Sequence, residues 1–595
     1  MSLQRIQLHV IDSWEEACKF ISWAATRDAQ GSVGVDTETT GLNRQTDRPR
    51  TIQVGGREHG WCIPVEGPNG FTGIFSEFVR SYTGQYIMHN AVIDRLMLEK
   101  IGIRLPKHRI GDTRVMSHIL EPDKHTALKE QAARHVDKGA AEASHRLDKA
   151  LGTGEDGYTW ATIPLDFGPY WQYAGLDTIL TIHLYDHHWP LVQGEAPKSY
   201  DLEMAAQWIT AAMTVKGARV DVPYARKAKD ELAEIVTSLR YEIESDYDFS
   251  PGSNKKIIAY LQSDGINFEK KTKGGALSLD AEVLASIDHP LANQVLRYRK
   301  AQKLVSTYLE HFCTETDADS RIHPTINNLG ARTGRMSMSK PNMQNLPRVS
   351  EGDSDSLYVR NSIVSSPGHT LVLCDFSQIE MRILASYSKC AQMINAFKSP
   401  EDFFVTLAQQ IFKDSAIDKG DSRRRLVKNG CYARIYGAGP GKFARTARVT
   451  AQASHDFFSR FNLYYPEVDK FVRAIESTAW KRFRSEKQAY ARSLITRRRF
   501  VADPGRIYAL LNYLIQGCAA EILKLKLVEL DAIGLGKYMI LPVHDEIIMD
   551  VPDDEVSSVI DSLHDIMHDD SILDVPITAT VATGRRWGTK SEIAW

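Results

Sequence analysis

The stretch Leu541–Val551, LPVHDEIIMDV, sets two adjacent acids, Asp545 and Glu546, between two apolar runs. Apolar strand pairs ordinarily reverse on Gly, Asn or Pro, and two like charges at such a tip repel. Asp is at home in turns and Glu can be a solvated neighbour, so the pair alone decides nothing. A hairpin tip nevertheless holds carboxylates rigidly at a sheet edge, where a divalent cation can remove the repulsion. A matching acid lies in residues 371–385, LVLCDFSQIEMRILA, where an apolar strand ends at Asp375 and a helix follows. Two Asp at strand ends can bind two divalent ions roughly 3.5–4 Å apart, which activate an attacking hydroxyl and stabilise a leaving phosphate oxygen. That is the chemistry of phosphoryl or nucleotidyl transfer. Between the two acids, in RRRLVKNGCYARIYGAG (423–439), Arg424, Lys428, Tyr432 and Tyr436 recur every fourth residue. At 3.6 residues per turn this row keeps to one helical flank, offering two cations for a triphosphate and two rings for a base. A core-facing row would not carry Arg and Lys.

The front of the chain has its own acids. Asp36 and Glu38 lie in VDTETTGL, Asp94 in HNAVID, and Asp177 in YAGLD, with Tyr173 four residues earlier. Asp112, in GDTRVM, reads instead as a helix cap.

Positioning these groups takes several domains, since 595 residues exceed one core. The first ~190 residues read as α/β, with GSVGVDTETTGL and YIMHN as strands and AVIDRLMLEKIG and LDTILTIHLYDHHW at helical spacing. The Pro- and Gly-containing run DHHWPLVQGEAPKSY (186–200) is expected to be a boundary. Residues 201–317 are mainly helical, 318–390 return to strand and loop signals, 391–495 are helical again, and the rest is mixed. A mixed domain interrupted by a helical insertion follows from that order. Hydrophobic content of 43% and charged content of 25% are those of an ordinary globular chain, with no apolar run long enough to span a membrane. The N-terminus lacks a secretory or transit pattern, and seven scattered cysteines without a C-x-x-C pair read as free thiols in a reducing compartment. Net charge is −2, yet residues 481–499 hold eight Lys/Arg against one Glu, and Lys255, Lys256, Lys270, Lys271, Lys273 and RYRKAQK (297–303) add further basic segments. With Phe483, Tyr490, Tyr298 and Phe500 among them, they suggest a basic nucleic-acid groove offset by acids elsewhere.

DFSQIEMRILA, RRRLVKNGCYARIYGAG and LPVHDEIIMDV resemble motifs A, B and C of the family A DNA polymerases, in the family's order. ARTGRMSMSKPNMQNLP (331–347), LLNYLIQGCAAEILK (510–524), and FSPGSNKKIIAYL followed by KKTKGGALSLDAEVL are similar to further segments of that family. The front acids with Asn90 and Tyr173 resemble the DEDD-type 3′–5′ exonucleases of the DnaQ-like group, in the subclass with a Tyr. The resemblance implies an RNase H-like exonuclease domain over 1–195 and a right-hand polymerase domain over 196–595. Within the latter it places a thumb at about 240–317, a palm at about 318–390 and 505–595, and fingers at about 391–504.

It further implies that Asp375, Asp545 and the Phe376 carbonyl hold two Mg²⁺ ions, with Glu546 assisting and Mn²⁺ able to substitute. Arg424 and Lys428 would grip the dNTP triphosphate, with Lys428 protonating pyrophosphate. Gln378 would line the same site, and Glu380 would exclude a ribose 2′-OH. Tyr432 would stack near the incoming nucleotide and, as Tyr where many members have Phe, admit dideoxynucleotides. Tyr436 would meet the templating base, His544 the primer terminus, and Arg335, Asn512 and Gln516 the primer–template. The family's frequent NFG is GCY here, and Tyr508 stands where bacterial repair enzymes tend to have Arg. In the front domain Asp36, Glu38, Asp94 and Asp177 would bind two metals, and Tyr173 would orient the attacking water. A single-subunit RNA polymerase would not be expected to carry the front tetrad with Glu380. A nuclease with a DNA-binding appendage leaves Asp375, Lys428 and Asp545 unexplained. The expectation is a proofreading DNA polymerase acting on primer–template DNA and dNTPs in the cytoplasm, most like phage replicative enzymes. An organellar or bacterial member, or an exonuclease with a degenerate polymerase, is the alternative. Two such domains use all 595 residues, leaving no space for a 5′ nuclease. The resemblance implies replisome partners such as a helicase, primase or single-strand-binding protein, and no long thumb insertion suggests thioredoxin dependence.

Overall fold

The computed structural model describes residues 5–593 apart from 28–30, 67–70, 142–146, 150, 152–156, 273, 347–354 and 448, so Lys273 and Pro347 lie outside the described residues. Two compact units result, one of residues 1–211, 331–335 and 482–505, the other of 212–330, 336–481 and 506–595. Residues 482–504, expected in the fingers, and 331–335 with Gly505, expected in the palm, thus pack with the front unit. No described helix is long and apolar enough to cross a membrane.

The front unit is built on a mixed sheet in the order β1 (Gln7–Val10), β4 (His59–Pro64), β3 (Pro49–Gly55), β2 (Ser32–Thr39), β5 (Gln85–Met88), β6 (Ile110–Asp112). Three helices bear on its chemistry: α1 (Ala91–Lys100), α2 (Leu128–His135) and α3 (Gly168–Glu195), and α4 (Pro197–Lys216) continues the chain. The boundary expected at 186–200 is helical except at Ala196. Leu184, His188, Val192 and Ala196 are all buried, so a face at four-residue spacing runs through Pro190, which sits on the exposed side. Burial of that face outweighs the hydrogen bond that Pro190 cannot make.

The basic stretch 481–499 is also partly structural. Its hairpin, Ala489–Arg492 paired with Arg499–Ala502, stacks Arg482, Arg492 and Arg499 around the Tyr490 ring at 4.3, 5.4 and 4.6 Å. Arg492 and Arg499 pair with Glu195, while Arg498 is fully buried and pairs with Glu203 at 2.9 Å. Four of the eight cations are thereby committed within the unit, so the stretch is a weaker nucleic-acid surface than its composition suggests.

The second unit centres on an antiparallel sheet of β7 (His369–Phe376), β8 (Met539–Val543), β9 (Glu546–Pro552), β10 (Ala579–Arg586) and β11 (Thr589–Ile593), in the order β8-β9-β7-β10-β11. Leu371 to Cys374 of the central β7 are all buried, as a strand covered on both faces requires. The helices α5 (Val222–Tyr247) and α6 (Pro290–Leu304) share a core of Leu239, Ile243, Ile257, Leu261, Leu291 and Val295. The helices α7 (Ile379–Ser388), α8 (Phe403–Phe412), α9 (Ser422–Ile435), α10 (Ala451–Tyr464) and α11 (Leu510–Ala532) follow. Gly430 lets α9 approach α10, because a Cβ there would overlap the Phe457 ring. That packing explains part of the GCY departure.

Candidate active sites

In the front unit the two-residue period of β2 turns Asp36 and Glu38 to one face. α3 brings Asp177 to them, and glycines set how close it comes. A Cβ on Gly34 would overlap the Thr178 carbonyl, and one on Gly60 the Gly175 carbonyl. Carboxylate oxygens of Asp36, Glu38 and Asp177 consequently lie within 4.8 Å of one another. Asp94, on α1, stands beside this trio and not within it. Its Oδ1 accepts from the Thr37 backbone N–H at 3.0 Å and the Thr37 hydroxyl at 2.7 Å. Asp112 behaves as the cap expected of it, accepting from Asn90, Ala91 and Arg114 backbone N–H groups.

Burial pushes the Asp36 carboxyl up to about 6, with the Lys129 charge opposing. Burial and then the Asp36 charge raise both Glu38 and Asp94 well above the carboxylate range. Such mutual repulsion is what a divalent cation relieves, so the donor set suits hard cations. Burial, then the charges of Glu38, Asp36 and Asp148, keep the Tyr173 phenol protonated far above neutrality. Trp160, about a third exposed, lies with its ring centre 6.3 Å from that of Tyr173 and offers a stacking face.

The group that sequence reasoning missed is Lys129, at the second position of α2. Its ammonium contacts the Asp177 carboxylate and lies 4.2 Å from the centre of the Tyr173 ring. Burial pulls it below the usual lysine range, against the upward pull of Asp36 and Glu38. Nothing in the spacing of LKEQAARH distinguishes it from a solvated helix-start lysine.

In the second unit Asp375, the penultimate residue of β7, lies opposite Glu546 of β9. The hairpin reverses on His544-Asp545, and not on Asp545-Glu546, because Val543 still pairs with Glu546. His544 takes the left-handed conformation at φ 56°, which His tolerates better than most side chains. The Asp545 carbonyl accepts the Phe376 N–H at 3.3 Å, tying the tip to the end of β7. Asp375 is exposed near the end of β7 and Asp545 half-buried at the hairpin tip that the Phe376 bond ties to it, carboxylates of the kind that hard divalent ions take. Glu546 is not placed as expected. Trp587 Nε1 donates to its Oε2 at 3.3 Å, and Lys590 holds Oε1, so it anchors the β10–β11 hairpin.

On α9 the core side is Val427, Gly430, Cys431 and Ile435, which leaves Arg424, Lys428, Tyr432 and Tyr436 on the other flank. Burial, then the charges of Glu380 and Asp545, raise the Tyr432 phenol, so this flank and the sheet acids share one field. Lys428 Nζ lies 6.0 Å from the Phe404 ring centre, and Tyr436 is half exposed. Arg424 is committed more than expected: Nε and Nη2 donate to the two Asp402 oxygens at 3.0 and 2.6 Å. Asp402 also caps α8 through the Val405 N–H. Gln378 is left-handed at the start of α7, its Oε1 buried without a hydrogen-bond partner, and Glu380, two residues on, is buried. Asn512 and Gln516 share one half-buried flank of α11, His544 is exposed, and Arg335 packs with the front unit.

A family model described as DNA polymerase family A matches residues 222–589, and one described as 3′-5′ exonuclease matches residues 9–193. Among curated proteins, the DNA polymerase of Mycobacterium phage D29 is 27% identical over 559 residues, covering 88% of each chain. The DNA polymerase I of Pseudomonas aeruginosa is 28% identical, over 96% of this chain and 64% of that protein. Of solved structures, the POL domain of Pol1 from M. smegmatis in complex with DNA primer-template and dNTP aligns at TM-score 0.78 and 23% identity, over 98% of this chain and 99% of that one. With the polymerase match spanning more than half of its residues, this chain belongs to DNA polymerase family A, with a 3′–5′ exonuclease domain ahead of the polymerase domain.

Proposed function

We propose that the protein extends primer 3′ ends on a DNA template with dNTPs, corrects errors with its front domain, and replicates a phage genome. The observation that carries this is two separate sets of acids in one chain of this family: Asp36, Glu38 and Asp177 clustered in the front unit, and Asp375 at the end of the strand to which the Asp545 tip is hydrogen-bonded. Divalent ions, taken as Mg²⁺ with Mn²⁺ able to replace it, would supply hydroxyl activation and charge neutralisation at both centres. Asp375, Asp545 and the Phe376 carbonyl would hold them in the polymerase domain. Lys428, Arg424 and Gln378 face the incoming triphosphate, and Lys428 passes a proton to departing pyrophosphate. Glu380 bars a ribose 2′-OH, Tyr432 stacks on the nucleotide, and Tyr436 and His544 meet the template base and primer end. Arg335, Asn512 and Gln516 read the minor groove, whose N3 and O2 acceptors are common to all base pairs. In the front domain Asp36, Glu38, Asp94 and Asp177 hold the ions, and the protonated Tyr173 hydroxyl orients the attacking water. The thumb, palm and fingers occupy about 240–317, 318–390 with 505–595, and 391–504. The enzyme works in the host cytoplasm, with replisome proteins as partners and no thioredoxin requirement.

A primer ending in a mismatch tests the combined reading. Wild type should trim the mismatched nucleotide and then extend to full length. Asp36→Ala with Glu38→Ala should stop trimming and leave extension of a matched primer intact. Undiminished trimming by that variant would refute the front-domain assignment.

A further inference from the structure

We propose that Lys129 is a positioning residue of the front site, a resident counter-cation whose ammonium a divalent ion must displace from Asp177. This rests on the exonuclease reading of that site. Three carboxylate groups with oxygens within 4.8 Å of one another, one buried and two half-buried, repel strongly unless positive charge stands beside them. Among the described residues the cation that meets them is Lys129. It touches Asp177, lies 4.2 Å from the Tyr173 ring centre, and its charge acts on Asp36 and Glu38. Its side chain is only 13% exposed and that of Asp177 only 8%, so little water separates the pair.

The position of α2 makes the contact specific. Lys129 enters from the second residue of that helix, whose Ala132 packs with Leu176 and Leu180 of α3 on either side of Asp177. The helix that delivers the ammonium is therefore registered against the helix that delivers the carboxylate. Asp177 and Tyr173, one turn apart on α3, are both held by this one lysine, so it keeps the acid and the phenol in register before any ion is bound. A divalent ion and an ammonium at the same carboxylate repel each other, and binding of one weakens the other. Lys129 thereby stabilises the empty site and raises the ion concentration at which it fills.

The test is Mn²⁺ binding, followed by electron paramagnetic resonance at pH 6.5, where the lysine keeps its proton, on the full chain carrying Asp375→Asn and Asp545→Asn so that the second centre is silent. Thermal unfolding with and without chelator is measured on the same proteins. Lys129→Met should bind Mn²⁺ about tenfold tighter, melt lower than its parent in chelator, and gain more from Mn²⁺. Lys129→Arg, which keeps the charge, should stay within about twofold of the parent, a rescue that loss of packing alone would not give. Unchanged or weaker Mn²⁺ binding in Lys129→Met would overturn the proposal. Adding Asp36→Ala separates the two readings: if that change leaves Mn²⁺ binding intact, the metal centre itself is misassigned and both fall.

Discussion

At the scale of residues, the carboxylates were legible and their partners were not. Asp36, Glu38, Asp177, Asp375 and Asp545 stand out because acids set in apolar runs need a reason; the fold clusters the first three and ties the Asp545 tip to the end of the strand that carries Asp375. Lys129, Asp402, Trp587 and Lys590 were invisible because an ion pair or hydrogen bond across 22, 41, 44 or 48 residues leaves no periodicity to read. Asp402 matters for the incoming nucleotide. It grips Arg424 by the Nε–Nη2 edge, leaving Nη1 for a triphosphate. Asp402→Asn keeps a side chain able to cap α8 but loses the charged pair. It should raise KM for dNTPs several-fold with kcat little changed, and combining it with Arg424→Ala should add nothing further in steady-state kinetics. Additive effects would mean the two act independently. Tyr432 supplies a second check: Tyr432→Phe should raise discrimination against dideoxynucleotides by roughly a hundredfold in single-turnover incorporation, about 3 kcal/mol of differential transition-state binding. Equal discrimination in both proteins would remove the proposed contact with the sugar.

At the scale of elements, periodicity found the strands and helices that carry the sites and misjudged where they end. The run 186–200 read as a linker because Pro and Gly break isolated helices, yet Leu184, His188 and Val192 keep one face buried through it. The hairpin tip was misplaced by one residue, since a left-handed His544 is set by strand register and not by composition. Glycines also hid a role, because a close helix–sheet approach is a tertiary fact. Gly34→Ala should push α3 from β2, costing about 1–3 kcal/mol in urea unfolding and reducing exonuclease rates while leaving extension near wild type. Wild-type stability of that variant would show that the approach is not tight.

At the scale of the whole molecule, two carboxylate centres predict two separable activities and a stability that depends on metal and pH. Asp36 titrates at about 6 in the fold against roughly 3.9 unfolded, so the native state binds the extra proton between those values. Stability without metal should therefore fall as pH rises from about 4 to 6, with the raised carboxyls of Glu38 and Asp94 carrying the fall to higher pH. Thermal unfolding of the front unit in chelator should show this decline, and saturating Mg²⁺ should flatten it. A profile rising over that window would contradict the burial argument. The most direct test of the central claim is a labelled primer on a template with Mg²⁺, with and without dNTPs, for wild type, Asp545→Ala and Asp36→Ala. Growth to full length that is lost only in Asp545→Ala, with shortening that is lost only in Asp36→Ala, is the expected result. Growth surviving Asp545→Ala, or both activities failing together in either variant, would contradict two independent metal centres.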